Sequence, residues 1–132
     1  MKPVKITWSV WDSSPVVLWS SEDGAFSVER KLPPIAVSLL PRQKMIAIVG
    51  DYAELGSCNL LFYSLDGKLV RTLAAPKYGE DSQFGWVEET ENGLEVVVGY
   101  CIDGIWVEKK GKLDWVTGDV SELHGNYQAD RA

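Results

Sequence analysis

Histidine and cysteine are scarce in this chain of 132 residues, which has one histidine, His124, and two cysteines, Cys58 and Cys101. Structural zinc sites use four Cys or His ligands, so we expect no metal site, and the absence of any GxGxxG pattern argues against a nucleotide cofactor. A Ser–His–Asp triad needs a histidine base, and His124 stands in the polar stretch SELHGNYQ with no GxSxG elbow anywhere. The sequence therefore predicts a protein without a cofactor that is not an enzyme.

Long apolar runs are missing as well. No stretch approaches the length of a transmembrane helix, and the N-terminal residues MKPVKITWSVWDSS are interrupted by Ser9 and Asp12 where a secretory signal would be apolar. Cys58 and Cys101 fit small apolar positions in a reducing compartment better than a disulfide framework. We expect a cytoplasmic protein that does not bind membranes.

Positive charge is also in short supply. The chain has 13 Lys and Arg against 19 Asp and Glu, for a net charge of −6. Nucleic-acid binding needs clustered Lys and Arg, so we expect no nucleic-acid partner. An acidic surface attracts a basic protein partner, although the same charge also serves solubility alone.

Helical periodicity is nearly absent, and its best candidate is the short segment 120–127. Apolar and polar residues instead alternate in short segments that are separated by turn residues, which predicts a single all-β domain over residues 1–132. The predicted strands cover residues 5–12, 16–21, 25–32, 35–40, 45–52, 59–65, 69–75, 84–90, 94–100 and 104–110, with one more after Gly111 and with loops at 53–57 and 76–83. Ten or eleven such strands indicate a meandering barrel, a sandwich or a propeller.

The hairpins also repeat along the chain. Three glycines at nearly constant spacing are expected to form the turns: Gly24, Gly67 and Gly111. An aromatic residue precedes each turn at the same place in its strand: Trp19, Phe62 and Trp106. Each later unit reads strand, turn, strand, loop, strand, Gly turn, strand.

This repeat resembles the four-stranded blades of bacterial β-propellers, broadly of the WD40 and NHL types, over most of residues 16–118. Propeller blades recur about every 40–50 residues. The resemblance implies three propeller-like blades of antiparallel β-meander, and the alternative is a single meander barrel or sandwich. The Gly-His and Trp-Asp signature of WD40 blades is missing, so no partner or site of that family is carried over.

Three blades are too few for a ring, because natural propellers use roughly four to eight. Two chains could close a six-bladed ring as a homodimer, the sheets could pack as an open stack, or the units could curl into one barrel. A dimer and a monomer differ in solution mass, which separates the first outcome from the last.

The six tryptophans are the unusual feature of the composition. Tryptophan is favoured both in β cores and at interfaces. Trp8 and Trp11 are predicted on opposite faces of one strand, so one of them is a candidate interface residue. Trp86 and Trp115 are candidates for lining a ligand surface.

Carboxylates are the other candidate binding groups. Glu88 and Glu89 precede the Asn92-Gly93 turn, and because neighbours in a strand face opposite sides they cannot act on one ligand together. Asp51 and Asp103 stand where strands meet loops, where functional residues concentrate.

Three functions from different classes remain open. The leading hypothesis is a non-enzymatic protein-interaction module, in its concrete form a small cytosolic immunity or antitoxin-type protein that binds a basic partner. The second is a self-assembling half-propeller with a small-molecule or carbohydrate site. The third is a weak hydrolase that uses loop carboxylates such as Asp51, Asp81 and Asp103.

Overall fold

The computed structural model describes residues 3–125, and in that part of the chain eleven strands and one helical turn account for nearly all regular structure. The strands are β1 Lys5–Thr7, β2 Val16–Ser21, β3 Gly24–Glu29, β4 Ala36–Leu40, β5 Met45–Val49, β6 Leu60–Ser64, β7 Leu69–Leu73, β8 Glu80–Thr90, β9 Gly93–Ile102, β10 Ile105–Leu113 and β11 Val120–His124. The helix α1 spans Tyr52–Leu55, and a 3₁₀ turn spans Val10–Asp12. No helix among residues 3–125 is long and apolar enough to cross a membrane.

The strands form three separate antiparallel sheets, in each of which neighbours in space are neighbours in sequence. The first sheet contains β1–β3, the second β4–β7 and the third β8–β11, and none of them closes on itself. The predicted all-β class and antiparallel meanders are therefore confirmed. Residues 3–125 do not form the alternative of one closed barrel.

The second sheet lies between the other two and is covered on both faces. On one face, Ile46, Ile48, Leu61 and Tyr63 pack with Val17 and Trp19 of the first sheet. On the other face, Ala47, Val49, Leu60 and Phe62 pack with Phe84, Val87, Val96 and Val98 of the third sheet. The run MIAIV of β5 is apolar at every position because both of its faces are core.

The stack has two distinct ends. The β4–β5 turn lies beside the β8–β9 turn, because the Arg42 guanidinium donates to the carbonyls of Thr90 (3.0 Å) and Glu91 (3.1 Å). The β6–β7 turn lies against the β2–β3 hairpin, since Trp19 Nε1 donates to the carbonyl of Leu65 (2.9 Å). We call the end of the stack that carries these four turns the turn end. The opposite end, called the loop end, carries α1 and the β9–β10 turn.

The predicted strand over residues 5–12 is wrong beyond Thr7. Ser9 accepts a hydrogen bond from the Trp11 backbone N–H (3.2 Å) and so caps the 3₁₀ turn, and Ser13 adopts a left-handed φ of 47°. Short polar side chains that bond to the nearby backbone compete with strand pairing. Trp8 and Trp11 therefore do not lie on opposite faces of one strand.

The third repeat was also placed wrongly. Gly24 and Gly67 do form hairpin turns, with φ of 124° and 88°. Gly111, in contrast, lies inside β10 opposite Val96, where a side chain would meet the Ser121 carbonyl oxygen at 2.7 Å. A glycine in a strand often marks such a close approach of another backbone. The turn that follows β10 closes at Gly118, with φ of 84°.

Three further local predictions fail. Residues 53–57 were predicted as loop, but α1 forms there because Asp51 caps it. Strand β8 begins at Glu80 inside the predicted loop 76–83, since Glu80 pairs with Cys101 at the far end of the long strand β9. The best helical candidate, residues 120–127, is strand β11 over its described part, paired with β10, and residues 126–127 lie outside the described chain.

A partly buried ion pair ties α1 to the segment that follows β3. The Glu54 carboxylate accepts from the guanidinium of Arg30 (Nε, 3.1 Å) and from the backbone N–H of Leu32 (3.1 Å). Burial alone would raise the pKa of Glu54, but the hydrogen bonds from Leu32 and Arg30 and the positive charge of Arg30 outweigh burial. The pKa of Glu54 therefore lies below its ordinary value.

Because of this ion pair, we expect the free energy of unfolding to fall in acid. A carboxyl with a lowered folded-state pKa stabilises the fold fully above its unfolded value of about 4.3 and loses that contribution as the pH falls through the lowered pKa. The free energy of unfolding of wild type should exceed that of Glu54→Gln most at about pH 6–7. Urea unfolding of both proteins between about pH 7 and 3 should show the difference shrinking, and a difference independent of pH would contradict this account.

Candidate functional site

The outer face of the third sheet is uncovered by any other element of residues 3–125. Phe84, Val87, Leu94, Val96 and Val98 point toward the second sheet, so the alternate residues of the same strands point away from it. We call this surface the Trp86–Trp106 face, and it consists of Trp86, Glu88, Glu95, Val97, Gly99, Cys101, Trp106, Glu108, Lys110 and Lys112. Trp86 is its most exposed aromatic residue, with 43% of its surface accessible.

Trp106 is fixed on this face by the absence of a side chain at Gly99. The register places Trp106 opposite Cys101, and its indole reaches across Gly99 on β9. A Cβ at Gly99 would stand 2.4 Å from indole carbon Cζ2. Trp106 Nε1 donates to the Glu108 carboxylate (3.0 Å), which is buried. The indole is thus held along the sheet rather than projecting from it.

Lysine side chains separate the carboxylates of the face. Lys110 Nζ lies 3.4 Å from Glu88 Oε1 and 4.0 Å from Glu95 Oε2. Lys112 Nζ lies 3.3 Å from Glu122 Oε2 on β11. Partly exposed ion pairs of this kind contribute little to the stability of the fold. The charged side chains beside the two aromatic rings can therefore exchange these partners at low cost.

The predicted tryptophan candidates separate to different places. Trp86 lies on the Trp86–Trp106 face, whereas Trp11 is 90% exposed in the 3₁₀ turn at the loop end. Trp8 packs on the core between the first and second sheets, and its Nε1 donates to the Ser14 carbonyl (3.0 Å). Trp115 packs on the other core, with its ring centroid 6.2 Å from that of Phe62.

The predicted acidic candidates are likewise not brought together. Glu88 and Glu89 lie on opposite faces of β8, because Glu89 turns to the second sheet and accepts from the backbone N–H groups of Arg42 (2.8 Å) and Gln43 (3.2 Å). Asp51 accepts from the Ala53 N–H (2.8 Å) as the cap of α1. Asp103 occupies the β9–β10 turn with φ of 53°. Glu89 and Asp51 therefore have structural partners.

Only Trp86 and Glu88 of this face were singled out from the sequence as binding residues, and the other eight were not: Glu95, Val97, Gly99, Cys101, Trp106, Glu108, Lys110 and Lys112. The alternation in LEVVVGY predicts that Glu95, Val97 and Gly99 share one side of β9. Which β10 residues stand beside them depends on the pairing register between β9 and β10, which alternation within one strand does not give.

The loop end carries the carboxylates considered for hydrolysis. Tyr52 donates its phenol to Asp81 Oδ1 (3.2 Å), and partial burial and the Asp81 charge raise the pKa of Tyr52 above its ordinary value. Asp51 is engaged with the backbone of α1. Within residues 3–125, no group of three or more His, Cys, Asp and Glu side chains could hold a metal ion.

The outer face of the first sheet is likewise not covered by any other element within residues 3–125. Val17 and Trp19 point into the core, so Leu18 points outward, and 45% of its surface is exposed. Its cross-strand neighbours are Thr7 and Ser27, which leave the face shallow.

Comparisons with models of protein families, with curated proteins and with solved structures give no match to this chain.

Proposed function

We propose that this protein is a non-enzymatic interaction module that binds a basic protein through the Trp86–Trp106 face. The observation that carries the proposal is an uncovered sheet face on which Trp86 is 43% exposed beside glutamates. Tryptophan and arginine are the residues that most often dominate binding energy at protein interfaces. Trp86 offers an aromatic surface on which an arginine of the partner can stack.

Charge supports a basic partner in particular. The face carries Glu88, Glu95 and Glu108 against Lys110 and Lys112, within a chain whose net charge is −6. An acidic surface speeds the approach of a basic protein and disfavours acidic competitors. A small cytoplasmic immunity or antitoxin-type protein is the concrete form of this proposal. Enzymatic activity is not part of the proposal.

The binding surface can be tested with two tryptophan variants. Wild type is used as bait to capture a partner from the native cytosol, and titration calorimetry with the purified partner then measures the Kd. Trp86→Ala is expected to raise the Kd by roughly 30-fold, because hot-spot residues contribute about 2 kcal/mol or more. Trp11→Ala removes the same side chain at the loop end and should leave the Kd unchanged. The reverse order of the two variants, or an acidic partner, would count against the proposal.

The second candidate function is self-assembly as a half-propeller. In its favour, the second sheet is covered on both faces while the first and third sheets each have one uncovered face. Docking the shallow Leu18 face of one copy on the Trp86–Trp106 face of another would repeat the internal sheet-on-sheet packing and could close a six-bladed ring. A small-molecule or carbohydrate site would then lie in the central channel. The solution mass of wild type distinguishes this dimer from a monomeric module.

A further inference from the structure

A cleft opens at the turn end between the first and second sheets, far from the Trp86–Trp106 face. Its volume is about 770 Å³. That size falls within the range of roughly 300–1,000 Å³ in which proteins bind small molecules. The cleft is lined by the β2–β3, β4–β5 and β6–β7 turns together with residues 3 and 4.

The floor of the cleft is apolar. It is formed by Val4, Phe26, Leu39 and Leu65, and all four pack on the core between the two sheets. The Phe26 ring is held on one side by Trp19, with centroids 6.3 Å apart, and on the other by Gly67. A Cβ at Gly67 would stand 3.0 Å from Phe26 Cδ1, so the turn glycine gives the ring its room.

The rim of the cleft is mainly acidic. Glu22 and Asp23 come from the β2–β3 turn and Asp66 from the β6–β7 turn, and Lys44 is the one basic residue among the lining side chains. Ser64 donates a hydrogen bond to Asp66, and this bond together with the charge of Lys68, 3.8 Å away, lowers the pKa of Asp66 below its ordinary value. Asp66 is therefore a carboxylate at neutral pH.

We propose that this cleft binds a small hydrophobic amine, that is, a protonated primary ammonium group on an aromatic or aliphatic body. The body would pack on Phe26, Leu39 and Leu65, which otherwise face water across the cleft. The ammonium would lie against the rim carboxylates, which attract it through charge-assisted hydrogen bonds. Phe26 adds a ring face that also favours a nearby cation. The proposal goes beyond the interaction module and does not depend on it.

The discrimination by charge follows from the same geometry. A neutral ligand of equal shape keeps the apolar contacts but loses the attraction of Glu22, Asp23 and Asp66. An anion of equal shape must approach three carboxylates, which Lys44 in the lining and Lys68 beside Asp66 offset only in part. Affinity should therefore fall from the cation to the neutral compound and fall again to the anion.

Three matched probes test this order: tryptamine, tryptophol and indole-3-acetate, which share an indole body and differ in the terminal group. Each is titrated into the ¹⁵N-labelled full chain, and amide shifts report both the Kd and the location. We expect tryptamine to bind saturably with a Kd of about 0.1–1 mM. Tryptophol should bind at least about five-fold more weakly, and indole-3-acetate should show no saturation. The shifted amides should be those of residues 21–26, 39–44 and 64–67.

Three variants assign the binding to the cleft. Asp23→Asn should weaken the binding of tryptamine at least about three-fold, because it removes a negative charge from the rim. Lys44→Gln should tighten the binding by a similar factor, because it removes a positive charge that repels the ammonium. Glu91→Gln removes a carboxylate from another turn at the same end and should change nothing. Conserved amide spectra confirm that each variant is folded.

Several outcomes would overturn the proposal: no saturable shift with tryptamine, equal affinity for all three probes, or an equal effect of Glu91→Gln and Asp23→Asn. A failure here leaves the interaction module standing, because Trp86 is not part of the cleft. Loss of partner binding in Trp86→Ala with unchanged tryptamine binding would support both proposals separately.

Discussion

Replacing Asn59 by leucine is expected to lower the free energy of unfolding by about 3–5 kcal/mol. Asn59 is fully buried between the second and third sheets. Its Oδ1 accepts from the Phe84 N–H (2.9 Å), and its Nδ2 donates to the carbonyls of Phe84 (2.8 Å) and Gly50 (3.0 Å). Leucine fills a similar volume but leaves all three backbone groups without these partners.

The size of the effect follows from where Phe84 lies. Strand β8 is an edge of the third sheet, so one side of its backbone has no neighbouring strand among the described residues. The Asn59 side chain makes the pair of hydrogen bonds to Phe84 that a peptide of a neighbouring strand would make. Each buried polar group that loses its partner costs about 1–3 kcal/mol. Asn59 therefore both closes an edge and fastens two sheets to each other.

Urea unfolding followed by circular dichroism measures the loss. Asn92→Ala is the matched control, because Asn92 is exposed in the β8–β9 turn, and its change should stay within about 0.5 kcal/mol. Asn59→Asp separates hydrogen bonding from packing: it keeps the shape but turns an oxygen toward two carbonyls. A cost for Asn59→Leu below about 1 kcal/mol would show that water or a shift of β8 replaces the lost bonds.

Much of the fold was predictable because its signals are local. The alternation of apolar and polar residues identified most strands, and Asp66-Gly67 and Asn92-Gly93 marked turns that need a positive φ at glycine. The continuous apolar run of β5 is typical of a strand with two buried faces. Each of these inferences uses only the residues of one strand or one turn.

The errors arose where a distant segment decides the local structure. Gly111 is a turn residue by its type, but nine successive pairs with β9 carry β10 through it. Glu80 is polar, but the length of β9 gives it a partner in Cys101. Glycine allows both a turn and a close backbone approach, and only the pairing register distinguishes them.

The candidate site was predictable in part for the same reason. Alternation correctly separated Glu88 from Glu89. Composition drew attention to tryptophan, and Trp86 and Trp106 lie on this face. The neighbours Trp106, Gly99 and Glu108 come together only through pairing between β9 and β10. The cleft at the turn end was beyond prediction, because its floor and rim come from turns that are distant in sequence.

Replacing Trp19 by alanine is the second change with a large expected effect, a loss of about 3–5 kcal/mol. Trp19 is 2% exposed and packs between the first and second sheets, with its ring centroid 6.2 Å from that of Tyr63. Trp11→Ala removes the same atoms from a residue that is 90% exposed, so its cost should stay within about 0.5 kcal/mol. The pair isolates burial from the chemistry of the side chain.

A third variant divides the contribution of Trp19. Trp19→Phe keeps an aromatic ring in the core but leaves the Leu65 carbonyl without the Nε1 donor, which should cost about 1–3 kcal/mol. Urea unfolding of the three variants and wild type gives the values. Equal losses for Trp19→Ala and Trp11→Ala would contradict the placement of Trp19 in the core.

Hydrogen exchange locates the damage more sharply than total stability does. The first sheet is joined to the second chiefly through the core around Trp19 and through the Arg30–Glu54 pair. In Trp19→Ala, amides of Val16–Ser21 and Gly24–Glu29 should lose protection first, while those of Gly93–Ile102 keep theirs, because the other core is untouched. Uniform loss of protection in all three sheets would mean that the stack unfolds as one cooperative unit and that Trp19 stabilises all of it.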